Sequence, residues 1–463
     1  MQPAWFADGG CGRLAPHMRN SGRSLLCCLS LAVFSLAVRA QQTPIALTGT
    51  LVMPDTVIEN GTVLIQDGRI IASGAHVTLP SNARVMNLDG IIAPGLIDLH
   101  NHLSWNIFPR WKPIEEFGNR YDWQQKPVYK IQMTAPHELI VREGLECEAE
   151  RYAEVKAITE GETSVTGSMH GTCVQHLTRN LDVDPELGPG LGKVIYDVFP
   201  LQMTPEALAE ADTALDAHPR GALLIHIGEG APYDASAMRE FAMLKGRGLL
   251  RPGVSLIHGV SITPEGFAEM AGKGVGLNWS PRSNVELYGD TANVAAAKTA
   301  SVHIALAPDW SPTGSVGLLG ELNYASMWNQ AQVFPPFTDK DLVMMATANA
   351  AELVNMSGQI GSLAPGHTAD LIVLHKGSNL HDAYWTVTHS SPQDLELVLI
   401  GGRPLYGNPD LMEMFGGEET LQICGTTKKL ASGGTPFTET EQKLDRAMHQ
   451  TGRFLAPLAE CGY

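Results

Sequence analysis

Eight short apolar runs, which alternate with helical patterns, constrain the fold of this sequence more than any other feature. The runs occupy residues 91–102, 164–168, 173–181, 194–201, 222–228, 254–260, 275–278 and 303–309. Helical patterns cover residues 205–217, 235–245 and 340–356, the last with Thr338 as its expected N-cap and Asp341 three residues later. Eight alternating β and α units are typical of an α/β fold with a (β/α)8 TIM barrel, which we predict here.

Short β-rich segments lie on both sides of the predicted barrel. The pair Asp67-Gly68 suits a tight hairpin turn, and Gly401-Gly402 provides a second one near the other end. We expect the two ends to pair into a small composite β-sandwich. The predicted boundaries are 41–92 and 358–408 for the two parts of the sandwich, 93–357 for the barrel and 409–463 for a C-terminal extension with a helix from about residue 439.

The first 40 residues have the order of features found in a secretory signal peptide. Arg19 and Arg23 precede an apolar run over residues 25–37, and the small residue Ala40 stands at the expected cleavage position. Met18 is the expected true start. The pattern predicts export, and therefore a periplasmic or secreted protein.

Four cysteines follow the predicted signal peptide. They are Cys147, Cys173, Cys424 and Cys461, an even number that suits two disulfides in an oxidising compartment. Their order suggests that Cys147 pairs with Cys173 and Cys424 with Cys461. Four cysteines allow three connectivities, and the spacing alone leaves all three open.

The composition limits the partners of this chain. Hydrophobic residues make up 44% and charged residues 17% of the sequence, which is typical of a globular protein. The formal net charge of −17 would repel a phosphate backbone, so we expect no nucleic acid partner. No run after the signal peptide is long enough to span a bilayer. We expect a small-molecule substrate, and the sequence leaves open whether the chain forms a homo-oligomer.

Polar residues stand at the ends of several apolar runs. His100 and His102 end the first run, and a spacing of two points both imidazoles to one side of a strand. His226 ends the fifth run, His258 the sixth and Asp309 the eighth. An unpaired polar group would be costly beside apolar strands, so the joint pattern favours a divalent metal centre over separate structural side chains.

Several motifs of the chain resemble those of the amidohydrolase superfamily of metal-dependent hydrolases. The resemblance extends from about residue 45 to 406, and the closest patterns are those of the cytosine deaminase, guanine deaminase, triazine hydrolase and imidazolonepropionase branches. The motifs are Ala-Pro-Gly-Leu-Ile-Asp-Leu-His-Asn-His at 93–102, His-Ile-Gly-Glu at 226–229, His-Gly at 258–259, Ser-Pro-Arg-Ser-Asn at 280–284, Ala-Pro-Asp at 307–309 and Gly-Ser-Leu-Ala-Pro-Gly-His-Thr-Ala-Asp-Leu-Ile-Val at 361–373.

The resemblance implies roles for these residues. His258 would be a further ligand or a hydrogen-bonding partner of the bound water, Asp309 would also accept the proton of that water, and Glu229 would carry the proton to the leaving nitrogen. The implied metal ligands are His100, His102, His226 and Asp309.

The fourth run decides how many metal ions we expect. Binuclear members of the superfamily usually carry a carboxylated lysine at the end of the fourth strand, but here residues 197–201 contain no lysine and Lys193 stands at the beginning of the run. We therefore predict one divalent metal per chain. Zinc is favoured, iron and manganese remain open, and Asp197 remains open as a substitute ligand.

Five further residues are candidates for substrate contacts. His170 and His176 flank Cys173, where they would either touch substrate or lie on the surface of a disulfide-held loop. Arg282 and Asn284 would either orient substrate or stabilise a turn. Trp310 follows Asp309 directly, so we expect it in the pocket wall.

Together these features predict an exported metal-dependent hydrolase that cleaves a non-peptide C–N bond in a ring amide or a heterocyclic amine. The aromatic insertion over residues 104–145 is expected to shape its pocket. Two alternatives remain: a two-metal enzyme related to peptidases or lactonases, and a barrel that binds a metal or a ligand without catalysis.

Overall fold

The computed structural model describes residues 43–462 except residues 112, 114, 169–172, 378–380, 414 and 418. The predicted signal peptide and His170 lie outside the described residues. The strands are β1 (Ile45–Val52), β2 (Val57–Gln66), β3 (Arg69–Gly74), β4 (Arg84–Pro94), β5 (Leu96–Ile97), β6 (Glu162–Val165), β7 (Arg179–Asn180), β8 (Val194–Asp197), β9 (Ala222–Ile227), β10 (Val254–His258), β11 (Gly276–Trp279), β12 (Ile304–Leu306), β13 (Leu371–His375), β14 (Leu395–Ile400), β15 (Arg403–Gly407), β16 (Glu419–Ile423) and β17 (Thr426–Leu430).

Helices connect the strands and form the insertion and the C-terminal region. They are α1 (Arg120–Gln125), α2 (Pro127–Tyr129), α3 (Ala135–Arg142), α4 (Glu146–Thr159), α5 (Pro205–Asp216), α6 (Ala235–Gly246), α7 (Pro264–Lys273), α8 (Pro281–Tyr288), α9 (Val294–Thr299), α10 (Leu318–Gln330), α11 (Asp339–Met345), α12 (Ala348–Leu353), α13 (Ala383–His389), α14 (Pro409–Glu413) and α15 (Phe437–Gln450). Short 3-10 turns occur at Leu103–Trp105, Pro200–Gln202 and Pro392–Asp394, and a π-helical turn at Lys130–Thr134 joins α2 to α3.

The barrel consists of the eight strands β5 to β12. Strands β5 to β7 form one parallel ladder and β8 to β12 another, each in chain order. A parallel bridge between Asn101 and Asp309 joins the first strand to the last beyond their regular ends. Each of the eight predicted runs overlaps one of these strands, so the predicted fold class is confirmed.

Alternation along the strands divides the barrel core into two layers. On β10, Leu256 belongs to the large apolar cluster that includes Phe267 of the neighbouring helix α7. The next residue, Ile257, belongs to a separate cluster with Leu224 of β9 and Ala305 of β12. Successive side chains of a strand point to opposite faces, so Ile257 faces the barrel interior.

The predicted first run is divided between the two sheets of the molecule. Its first residues belong to β4 and only Leu96–Ile97 to the barrel, because the chain changes sheet at Gly95. A Cβ atom at Gly95 would lie 2.2 Å from the side chain of Thr163 on β6. The close approach of these two strands therefore requires glycine.

Strands from both ends of the chain form one nine-stranded sheet, in the order β16-β17-β15-β14-β13-β4-β1-β2-β3. The predicted turns at Asp67-Gly68 and Gly401-Gly402 are present, and all four residues have positive φ. The sheet continues beyond residue 408, since the hairpin of β16 and β17 pairs with β15.

The predicted helix over residues 340–356 is interrupted. Thr338 and Asp341 form the expected capping box at the start of α11, but the carbonyl of Ala346 accepts a hydrogen bond from the amide of Ile97. That carbonyl is turned toward the barrel strand, and the chain resumes as α12.

Both suggested disulfides are formed, Cys147–Cys173 and Cys424–Cys461. The first links α4 to the loop after β6. The second links the turn between β16 and β17 to the end of the chain. Among the described residues, no helix combines the length and the apolar character needed to cross a membrane.

Candidate metal centre and active site

Three imidazoles and one carboxylate meet at the C-terminal ends of β5, β9 and β12. Nε2 of His100 lies 3.1 Å from Oδ1 of Asp309 and 3.1 Å from Nε2 of His226, and Nε2 of His102 lies 3.3 Å from the same oxygen of Asp309. His100, His226 and Asp309 are buried and His102 is partly exposed. The structure therefore brings the four predicted ligands together at the barrel mouth.

His258 completes the cluster through an unusual backbone conformation. Its ligating atom lies within 4.8 Å of those of His100 and Asp309. Because Ile257 faces the barrel interior, a regular strand would direct His258 away from it. The φ of +71° at His258 breaks the alternation and turns the side chain into the site. Such a conformation costs about 1–3 kcal/mol for a residue other than glycine, and it is typical of functional sites.

Burial and mutual contacts together set the protonation of these groups. Burial lowers the pKa of His100 to about 3 and holds the pKa of His226 well below its ordinary value. Burial would raise the pKa of Asp309, but contacts with His100 and His102 keep it well below the usual carboxyl range. Neutral imidazoles and an ionised carboxylate are the forms that ligate metal ions.

In His100, His226 and His258, the ring nitrogen that faces away from the centre has a hydrogen-bonding partner. Nδ1 of His100 is bonded to Oγ of Ser280 at 2.7 Å, and Nδ1 of His226 donates to the carbonyl of Asp197 at 3.4 Å. Nδ1 of His258 donates to Oδ1 of Asn284 at 2.8 Å. The opposite nitrogens of these rings therefore point into the cluster, as in protein sites where a hydrogen bond orients each metal-ligating histidine. The donor set fits one divalent cation.

Glu229 lies beside the cluster and is held by two residues that the sequence patterns did not identify. Tyr288 donates a hydrogen bond to its Oε1 at 2.7 Å, and the guanidinium of Arg120 lies 3.5 Å from its Oε2. The same oxygen is 3.5 Å from Nε2 of His258. Arg120 also contacts the buried Glu240 at 3.4 Å. Burial would lower the pKa of Arg120, but Glu229 and Glu240 keep it above its ordinary value.

One helix face orients four groups of the site. Ser280 precedes α8, and Ser283, Asn284 and Tyr288 lie on it. At these spacings of three and four residues the side chains share one face of a helix. They contact His100, Asp309, His258 and Glu229, respectively; the bond from Oγ of Ser283 to Oδ2 of Asp309 measures 2.6 Å. The spacing is visible in the sequence, but nothing there indicates which groups the helix reaches.

Three of the candidate substrate contacts have other partners in the structure. The side-chain oxygen of Asn284 accepts a hydrogen bond from the imidazole of His258. Asn284 therefore orients His258 instead of a substrate. Both terminal nitrogens of Arg282 bond the carboxylate of Glu460, away from the pocket. His176 lies 3.5 Å from Glu186 in a partly exposed loop and does not line the pocket. Trp310 does line it.

A pocket with a volume of about 190 Å³ opens above the cluster. Five aromatic side chains dominate its wall, and helices of the insertion supply two of them, Trp123 and Tyr129. Gln124 is the neutral amide among the lining residues. The lining residues are His102, Trp105, Trp123, Gln124, Tyr129, Val198, Phe199, His226, Glu229, His258, Asp309 and Trp310.

The end of the fourth barrel strand supplies no ligand in the described structure. Lys193 is exposed before β8 and pairs with Glu210. Oδ1 of Asp197 accepts a hydrogen bond from the amide of Phe199 at 2.7 Å, and Asp197 is in neither group of converging ligand atoms. Among the described residues, neither Lys193 nor Asp197 therefore joins the ligand cluster.

A protein-family profile and several curated proteins are similar in sequence to this chain. Residues 194–405 match the profile of the Amidohydrolase family. A 5-methylthioadenosine/S-adenosylhomocysteine deaminase from Symbiobacterium thermophilum is 24% identical over 421 residues, which cover 78% of this chain and 93% of that protein.

Solved structures share the fold. An adenosine deaminase from Xanthomonas campestris with bound zinc superimposes with a TM-score of 0.68 at 16% identity, over 89% of this chain and 98% of that one. An atrazine chlorohydrolase from Arthrobacter aurescens in complex with zinc has a TM-score of 0.64 at 18% identity, over 78% and 95% of the two chains. The barrel seen here therefore recurs in these enzymes.

Proposed function

We propose that the chain is a hydrolase that uses one divalent metal ion to cleave a non-peptide C–N bond, in keeping with the match of residues 194–405 to the Amidohydrolase family. The observation that carries the proposal is the convergence of His100, His102, His226 and Asp309 beside the buried carboxylate of Glu229. Zinc is the metal we favour, because imidazoles predominate among the donors and the two similar solved structures hold zinc.

The chain supplies both proton carriers that such a reaction needs. A metal ion held by these ligands would lower the pKa of its bound water to near neutrality and so supply the nucleophile. Asp309 accepts the proton that the water loses as its oxygen bonds to the substrate carbon. Glu229 then carries this proton to the nitrogen as the C–N bond breaks, so that an amine or ammonia leaves.

The neighbours of Glu229 suit this role. Tyr288 and Arg120 fix the carboxylate at the edge of the pocket, 3.5 Å from His258. Both partners hold the carboxylate in one orientation, from which it can take up a proton and pass it to the leaving group. His258 lies between Glu229 and the ligand cluster, where it can hydrogen-bond the attacking water.

The pocket favours a flat aromatic substrate. Its wall presents the rings of Trp105, Trp123, Tyr129, Phe199 and Trp310. Aromatic side chains pack well against planar rings through offset stacking or edge contacts. We therefore propose an amine-bearing heterocycle as the substrate class, with hydrolysis of a ring amide as the second reaction to test.

Metal content and turnover test this function together. The purified wild-type chain, handled without added metal, should contain about one equivalent of zinc and release ammonia from an aminated heterocycle in a screen of purines, pyrimidines and triazines. Glu229→Gln should keep its metal and lose about 10²- to 10⁴-fold in turnover, the usual contribution of a positioned acid–base group. Two metal equivalents, or unchanged turnover in Glu229→Gln, would contradict the proposal.

We also propose that the chain acts outside the cytoplasm, in the periplasm or the medium. Its two disulfides support this, because such bonds persist mainly in oxidising compartments. Intact mass measurement of the protein from the exported fraction tests it. A mature N-terminus near residue 41 is expected, and a full-length chain confined to the cytoplasm would contradict the proposal.

A further inference from the structure

The residue of α8 that turns away from the site contacts the far end of the chain. Arg282 bonds Glu460 with both terminal nitrogens, at 2.6 Å to Oε2 and 2.9 Å to Oε1. The two side chains are only 15% and 26% exposed. Paired charge-assisted bonds of this geometry fix the relative position of both partners better than a single contact does.

The C-terminal segment, residues 454–461, is itself anchored at several points. The amide of Ala456 donates to the carbonyl of Ile107 at 2.8 Å, and Oγ1 of Thr159 donates to the carbonyl of Leu458 at 2.8 Å. The disulfide between Cys461 and Cys424 then ties the residue after Glu460 to the hairpin of β16 and β17. Glu460 is thus held between fixed points.

We propose that Glu460, acting through Arg282, is a positioning residue for the candidate metal centre, and that the Cys424–Cys461 disulfide keeps it in place. Helix α8 has only eight residues and carries Ser283, which bonds Asp309. A small displacement of so short a helix lengthens this contact and those made by its neighbours, and the orientation of ligands controls metal affinity. The inference rests on the proposed metal site.

Zinc affinity, measured on the full-length apoprotein by competition with a chelator, tests the inference without a substrate. Glu460→Gln should weaken zinc binding about tenfold, the lower end of the loss seen when a group that orients ligands is removed. The matched control is Glu148→Gln. Glu148 pairs with Lys443 at 2.8 Å and joins α4 to α15 without contact to α8, so its variant should bind zinc as the wild type does.

A double-mutant cycle separates positioning from general loss of stability. If Glu460 acts through Arg282, then Arg282→Gln and the double variant should show the same loss of zinc affinity as Glu460→Gln. Additive losses would overturn the proposed route. Unfolding by urea, followed in parallel, should show all three variants folded under the conditions of the titration.

The two disulfides provide a second comparison within one chain. Removal of the C-terminal bridge in Cys424→Ser/Cys461→Ser should weaken zinc binding by a similar factor. Removal of the other bridge in Cys147→Ser/Cys173→Ser should lower thermal stability and leave zinc affinity unchanged. If either double variant fails to fold, Glu460→Gln alone decides the question.

The outcomes distinguish this inference from the proposed function. A wild-type chain that binds no zinc or other divalent metal overturns both. A wild type that binds zinc, with Glu460→Gln binding it equally well, overturns the positioning role and leaves the proposed function intact.

Discussion

The two sides of the candidate site are built in different ways. On the metal side, His100, His102 and His226 come from barrel strand ends, and the outer nitrogen of His100 and of His226 has one hydrogen-bonding partner. On the proton-transfer side, Glu229 depends on Arg120 from the insertion and Tyr288 from α8 at once. The metal side follows from local strand geometry, whereas the other side requires two elements that are distant in sequence.

The two sides of the site should therefore control different properties, metal binding on one side and turnover or stability on the other. Ligands at strand ends share a rigid scaffold, so a change there should remove the metal together with the stability that metal binding contributes. Glu229 lies in a buried group of charges in which the cation of Arg120 contacts two carboxylates, those of Glu229 and Glu240. Changes on that side should keep the metal and impair turnover or stability.

The sharpest test of the metal side is His226→Ala. The variant should lose stoichiometric metal, because it removes a ligand at the centre of the cluster, and some stability that binding contributes. Elemental mass spectrometry measures the loss. The control His303→Ala removes an exposed imidazole that pairs with Glu352 and should keep its metal. Full metal content in His226→Ala would show that the ligand set is wrong.

On the other side, Arg120→Ala should lower the free energy of unfolding by about 3–5 kcal/mol, because it leaves Glu229 and Glu240 buried without their shared cation. Urea titration measures this. Arg142 pairs with Glu143 at the surface, 70% exposed, so Arg142→Ala should stay within about 0.5 kcal/mol of the wild type. Equal effects at the two arginines would show that the buried ion pairs of Arg120 stabilise the protein no more than the exposed pair of Arg142 does.

Tyr288→Phe should reduce turnover about 10- to 100-fold while zinc content stays at the wild-type level. The lost hydroxyl donates to a carboxylate, and such bonds contribute about 1.5–3 kcal/mol. Steady-state kinetics measures the change. Tyr384→Phe removes a hydroxyl bonded to the carbonyl of Met53, far from the pocket, and should leave turnover unchanged. Loss of zinc in Tyr288→Phe would show that metal binding depends on the proton-transfer side of the site.

The smallest expected effect is that of Ser283→Ala, which removes the hydroxyl bonded to Oδ2 of Asp309. Zinc affinity should fall about tenfold, as for other groups that orient ligands. Ser326→Ala, at a buried serine that contacts Asp339 instead, provides the control in the same chelator competition. An unchanged affinity in Ser283→Ala would show that the strand ends hold the ligands without help from α8.

Much of the barrel could be predicted because strands and their ends leave local signals. Apolar runs of a few residues mark β9 and β10, and polar residues at their ends mark His226 and His258. The prediction is less accurate for the first apolar run, because its residues before Gly95 belong to the nine-stranded sheet and only the following strand, β5, belongs to the barrel. The partners of Arg282 and Asn284 were not foreseen.

Local sequence patterns predict the order of the strands, the histidines and carboxylate that converge at their ends, and the tight turns, because strand alternation and glycine conformation act over a few residues. The contacts around those groups depend instead on tertiary packing. Arg120, Tyr288 and Glu460 reach the site or its supporting helix across 109, 59 and 178 residues of the chain, measured to Glu229, to Glu229 and to Arg282. No local pattern encodes such contacts, since they exist only after helices and segments have packed on the barrel.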